Sequence, residues 1–127
     1  MDVILVGHCG PDTSFLKLAV LDALPGARIR NMDDEAELFS AIRAGRALLL
    51  INRVLEDGFS TTEGVELIRR VRQQSPDTPC MLISNFAEAQ QAAVNAGALP
   101  GFGKQEIGKP HVLDRLRAAA SSEVTSR

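Results

Sequence analysis

The sequence predicts an α/β fold, a doubly wound sheet of five parallel strands with five helices on its two faces. Three observations predict it. Short apolar runs rich in Val, Ile and Leu, as strands buried on both faces require, alternate with longer segments of helical periodicity. Capping and turn residues punctuate the two kinds of segment. The chain has 127 residues, 45% of them apolar, which gives one domain able to bury roughly two-thirds of its unfolded surface and leaves no room for a second.

The elements follow in order. Val3 to Val6 (VILV) is the first strand, stopped by Gly7 and Gly10-Pro11. In helix one, Phe15, Leu18, Leu21 and Leu24 recur at helical spacing between Ser14 and Leu24, and Pro25-Gly26 ends the run. Ala27 to Asn31 is a weaker strand. Asp34 and Glu37 form an acidic N-terminal signature ahead of Leu38, Phe39 and Ile42, and helix two closes at Gly45. Ala47 to Ile51 (ALLLI), the most apolar run, reads as the central strand and ends at Asn52. A loop with Asp57-Gly58 follows, and Ser60 with Glu63 reads as a capping box leading into Val65, Ile68 and Val71 of helix three. Cys80 to Ser84 is the fourth strand, and Ala87 to Ala96 is an Ala-rich helix ended by Gly97. Ala98 to Lys104 holds a fifth strand interrupted by Pro100, Gly101 and Gly103. Pro110 suits the first turn of a last helix carrying Val112, Leu113 and Leu116. Residues 1–120 form the domain and 121–127 a flexible C-terminal tail.

Composition excludes several functions. Fourteen Lys and Arg against sixteen Asp and Glu leave a net charge of −2, so no basic field draws the domain to nucleic acid. The aromatic residues are five Phe, too few for base-stacking platforms. Cys9 and Cys80, with no C-x-x-C spacing, exclude a disulfide scaffold and read as reduced thiols in a cytoplasm. No apolar run approaches eighteen residues, so neither export nor a membrane is expected. In parallel sheets of this kind ligands collect outside the carboxyl ends of the strands. That places the chemistry at Gly7 to Asp12, Asn52 to Gly58, Ser84-Asn85 and Gly103-Lys104.

Those residues carry a family likeness. LLLINRVLEDG followed by VELIRRVR, LISN at the end of strand four, and AGALPGFGK resemble the corresponding stretches of the receiver domains of response regulators, the (βα)5 flavodoxin-like modules of two-component, phosphorelay signal transduction. The resemblance implies a phosphorylation switch only where the chemical residues match. Asn52 stands in the place of the phospho-accepting Asp, and a neutral amide is a very poor nucleophile. Gly7 and His8 stand where the family has the acidic pair that holds magnesium, so no cofactor and no magnesium site are expected. Ser84 and Lys104 match the hydroxyl and ammonium that contact the phosphoryl group. Gly101 and Phe102 straddle the family's switch aromatic. The pattern resembles the pseudo-receivers, which act without phosphotransfer. It implies a non-enzymatic interaction module whose partners are signalling proteins or an output domain. A homodimer through helix four, strand five and helix five is a further possibility, with Gln91, Asn95 and Phe102 exposed on that face.

Each site residue also has a plainer reading. For Lys104 three fates are open: reaching water, pairing with Asp57 or Asp12, or holding an anion together with Ser84. Asn52 is also an ordinary turn-capping residue at a strand end. The alternative function is a small α/β enzyme or phosphocarrier using Cys9, since CGPDTS is similar to the phosphocysteine loops of sugar-phosphotransferase B domains. It lacks their Gly-rich continuation, and neighbours on an extended chain point apart, which separates His8 from Cys9. A metal at His8, Cys9 and His111 would need strand one and helix five to converge, and is not expected. Cys80 belongs to the core.

Overall fold

Successive residues of a strand point to opposite faces, so each fully apolar strand feeds two cores at once. In this computed structural model, which describes residues 1–121, the strands are β1 (Asp2–Val6), β2 (Arg28–Met32), β3 (Ala47–Asn52), β4 (Cys80–Ile83) and β5 (Leu99–Phe102). Beyond residue 121 the expected tail lies outside the described residues. The strands form one parallel sheet in the order β2-β1-β3-β4-β5. Val3, Leu5, Leu48, Leu50, Met81 and Ile83 pack under α1 (Gly10–Ala23) and α5 (Pro110–Ala120). Ile4, Val6, Leu49, Ile51 and Leu82 pack on the other face, under α2 (Glu35–Ala44), α3 (Gly64–Gln74) and α4 (Ala87–Asn95). The order reverses between β1 and β3, where Val6 lies beside Ile51 and Asn52 beside Ile83. That register brings the carboxyl ends of three strands to one crevice.

Most element boundaries agree with the sequence reading, and Asp34 caps α2 by accepting a hydrogen bond from the Glu37 amide at 2.9 Å. Two readings are corrected. Helix one starts at Gly10, with Pro11 inside its first turn and Cys9 as N-cap. Its buried residues include Leu16, Ala19, Val20 and Ala23, whereas Phe15, Leu18 and Leu21 are exposed. Apolar residues ring this helix. The stripe containing alanines turns inward and packs in the same core as Ala119, while the Arg117 side chain donates to the Ala23 carbonyl at 3.2 Å. The second correction concerns Ser60 and Glu63, which form no capping box. Glu63 is the N-cap of α3 without a side-chain bond, and Ser60 donates from its amide and Oγ to Glu35, both at 2.9 Å. The loop folds back instead, with Leu55 N bonded to Thr62 O at 2.8 Å and Gly64 N to Arg53 O at 2.7 Å.

Candidate functional site

Asn52 ends β3, and its Nδ2 donates to Gly7 O at 3.1 Å and to Val54 O at 3.0 Å. An NH2 group has two hydrogens, so both are used. The amide thereby ties the end of β1 to the β3–α3 loop. Gly7 has φ of +74°, and a Cβ there would lie 2.7 Å from Leu55 Cδ2, so this position admits no acidic side chain without displacement of the loop.

His8 turns its ring toward β3, with Nε2 2.9 Å from Leu50 O. A carbonyl only accepts, so Nε2 carries the hydrogen and Nδ1 is the bare lone pair. That Nδ1 is buried and has no hydrogen-bond partner. Burial lowers the His8 pKa, the Leu50 carbonyl opposes the shift, and Lys104 adds to the lowering. A folded state that keeps His8 neutral binds fewer protons than the unfolded chain below the ordinary histidine pKa of about 6.5. Stability therefore falls as pH drops through that value. His8→Gln, whose amide also donates to Leu50 O, flattens this slope in denaturant midpoints measured from about pH 7.5 to about pH 5; an unchanged slope would reject the assignment.

Lys104 pairs with Asp12, Nζ to Oδ2 at 2.7 Å, and both side chains are about a third exposed. Of the fates open in the sequence, the ion pair with Asp12 is the one observed, and Asp57 is not the partner. Asp12 is held below its ordinary pKa by the Lys104 bond first and by Cys9 second. Depression of a carboxylate contributes stability above its unfolded pKa and loses it as pH falls through the folded one. For so exposed a pair Asp12→Asn costs about 0.5–1 kcal/mol in thermal melts at neutral pH, and the difference from the parent vanishes in acid. A difference that persists in acid would assign the loss to packing.

Ser84 follows β4 and is only 6% exposed; its Oγ accepts from Phe86 N at 3.1 Å. Gln90 of α4 escaped the sequence reading. Its Nε2 lies 2.9, 3.1 and 3.3 Å from the carbonyls of Leu82, Ser84 and Phe102, clamping the ends of β4 and β5. The available signal was its place three residues before the buried Ala93, on the inward face of α4. Gly101 has no room for a side chain, since a Cβ would sit 2.1 Å from Leu82 O and 2.8 Å from Gln90 Oε1. Phe102 is 1% exposed and packs under α1 and α5, which corrects the expectation that it lies on a partner face. It turns inward because its strand neighbour Ile83 belongs to the same apolar layer. Gly101 carries no ring, and the ring of Phe102 is packed in the core. Gln91 and Asn95 are exposed, bonded to each other at 3.1 Å.

Two cavities meet at Asn52. One of about 260 Å³ is lined by Asn52, Arg53, Ser84, Asn85, Phe86 and Lys104, and the Arg53 guanidinium lies over the Phe86 ring, 4.8 Å from its centre. The other, about 460 Å³, is acidic, with Asp12, Asp33, Glu56 and Asp57 beside His8 and Cys9. The sequence-predicted Gly7, His8, Asn52, Ser84 and Lys104 thus line one continuous site. At the positions matched to the family's acidic pair and acceptor, Gly7 offers no side chain, His8 is turned to a carbonyl, and the Asn52 amide gives both hydrogens to Gly7 O and Val54 O, while the carboxylates of Asp12, Asp33, Glu56 and Asp57 line the same cavity. Among the described residues no three His, Cys, Asp or Glu side chains converge on one point. His111 is bound to Glu106 at 2.5 Å. Cys9 is exposed, and no hydrogen bond links it to His8, whose Nδ1 has no partner. Cys80 is wholly buried, and burial pushes its thiol up to about 12.

No family model and no curated protein matches the sequence. Solved structures do. The receiver domain of NtrX from Brucella abortus is 26% identical over 99% of this chain and 100% of that one, with a TM-score of 0.65. A response regulator from Thermotoga maritima is 26% identical over 98% and 97% of the two chains, with a TM-score of 0.64. The signal receiver domain of an HD domain-containing protein from Pseudomonas fluorescens Pf-5 shares the fold at a TM-score of 0.77 and 20% identity, over 99% and 90%. This chain spans 28% of the longer NtrX chain it also matches. The strand order, the five flanking helices and these likenesses give the chain the fold of response-regulator receiver domains, to which it is similar along nearly its whole length.

Proposed function

We propose that the chain is a pseudo-receiver, a signalling module that is not phosphorylated at Asn52, binds no magnesium at its strand ends and works by contact with other proteins. One observation carries this reading: the residue at the phospho-acceptor position spends both amide hydrogens on Gly7 O and Val54 O. Acyl phosphate formation needs a carboxylate oxygen as nucleophile; a neutral amide oxygen is a very poor one, and the amide hydrogens of Asn52 are bound to neighbouring carbonyls. Lys104, which would have to meet the transferred group, is neutralised by Asp12. The chain does no catalysis on this reading. It acts in the cytoplasm, on signalling proteins or an output domain, without contacts to nucleic acid. No helix among the described residues is long and apolar enough to cross a membrane.

Incubation with acetyl phosphate and magnesium, followed by intact mass measurement and magnesium-dependent chemical-shift mapping, tests the proposal. The expected spectrum shows the unmodified mass and no shifts at Gly7, His8 or Asn52. One added phosphoryl group near Asn52 would overturn it. The Cys9 alternative predicts alkylation by iodoacetamide faster than a free thiol at neutral pH; an ordinary rate removes it.

A further inference from the structure

α1 carries an apolar stripe that none of the described residues covers. Phe15, Leu18 and Leu21 are 58%, 67% and 46% exposed, while Leu16, Ala19, Val20 and Ala23 of the same helix pack in the core. A single exposed Leu is ordinary on a protein surface. Three large apolar residues on one helix are not, and beside them runs a groove of about 640 Å³ whose far wall is Ile107 and Leu113.

The charges at the borders select the occupant. Lys17 and Asp22 are exposed, and among the described residues neither has an ion-pair partner. On a helix of 3.6 residues per turn they fall on opposite sides of the line through Leu18 and Leu21. They are also five positions apart, the spacing at which residues bordering an apolar seam meet across two parallel helices. An antiparallel pair would instead set each charge on the same side as its own copy. A surface with an apolar centre, one cation on one edge and one anion on the other is self-complementary under a two-fold axis parallel to the helix.

We propose that the chain self-associates through α1, two copies packing with parallel helices about a two-fold axis, Leu18 and Leu21 in the seam and Lys17 of each copy against Asp22 of the other. The contact lies away from α4 and uses neither Asn52 nor Lys104, so it stands apart from the phosphorylation reading. Its apolar centre is small beside a standard interface of about 800 Å² per partner, so the expected dimer is weak, with a dissociation constant on the order of 100 μM.

Sedimentation equilibrium of the chain up to about 1 mM tests it. Leu18→Glu is expected to weaken the dimer at least about tenfold by placing charge in the seam. Lys17→Asp alone should weaken it about threefold to tenfold, and Lys17→Asp with Asp22→Lys should restore it to within about twofold, because the swap preserves complementarity. Circular-dichroism melts establish that these surface variants fold. A chain that stays monomeric, a dimer indifferent to Leu18→Glu, or a double variant as weak as the single would each overturn the proposal.

Discussion

Asn52→Asp destabilises the domain by about 3 kcal/mol at pH 7, although it restores the residue that a phosphorylated receiver would carry. The substitution replaces a double donor with an acceptor. The carboxylate oxygen that replaces Nδ2 then faces both Gly7 O and Val54 O, which the amide now satisfies at 3.1 and 3.0 Å. Two hydrogen bonds are lost, and a carboxylate is left against carbonyl dipoles while the cations of the same cavity are engaged elsewhere, Lys104 by Asp12 and Arg53 over the Phe86 ring. Electrostatics of this kind raise the carboxyl's folded-state pKa. A raised acid pKa makes the penalty largest above that value, and the penalty shrinks as pH falls and the carboxyl regains a proton to donate. Denaturant midpoints of parent and variant should therefore converge between about pH 7 and about pH 4. A variant as stable as the parent at neutral pH would show that the Asn52 bonds do not hold the site.

Gly101→Ala costs about 4 kcal/mol. The new Cβ would lie 2.1 Å from Leu82 O and 2.8 Å from Gln90 Oε1. The first atom belongs to the backbone of β4, buried between β3 and β5, and cannot move away alone. Relief requires β5 to separate from β4, which opens the three carbonyls that Gln90 gathers. Gly10→Ala is the control: nothing lies within 4 Å of its added Cβ, it opens α1, and its effect should stay within about 0.5 kcal/mol. Equilibrium unfolding of the two variants decides the matter. A loss of under about 1 kcal/mol at Gly101 would mean that the β4–β5 edge yields readily and that the clamp is not rigid.

Several side chains of the site were legible before the structure because they sit at fixed offsets from strand ends. Asn52, Ser84 and Lys104 each follow an apolar run that a buried parallel strand must make, and the crevice position comes with the topology. Their bonding was not legible. Whether Lys104 took Asp12 or Asp57 depended on where α1 begins, and the sequence reading began it four residues late. Gln90 was invisible for a related reason: a glutamine in an Ala-rich helix reads as solvated until the facing carbonyls are in place.

The sequence by itself determined the α/β architecture, the strand and helix order, and the absence of acids at Gly7, His8 and Asn52, because period, punctuation and residue chemistry are local properties. The tertiary structure alone decided which stripe of α1 is buried, that Phe102 turns inward, and which partner each polar side chain of the crevice finds. Those outcomes rest on competition between contacts distant in sequence. Two apolar stripes on one helix have similar transfer energies, and only the shape of the neighbouring sheet and of α5 settles which one packs without a void.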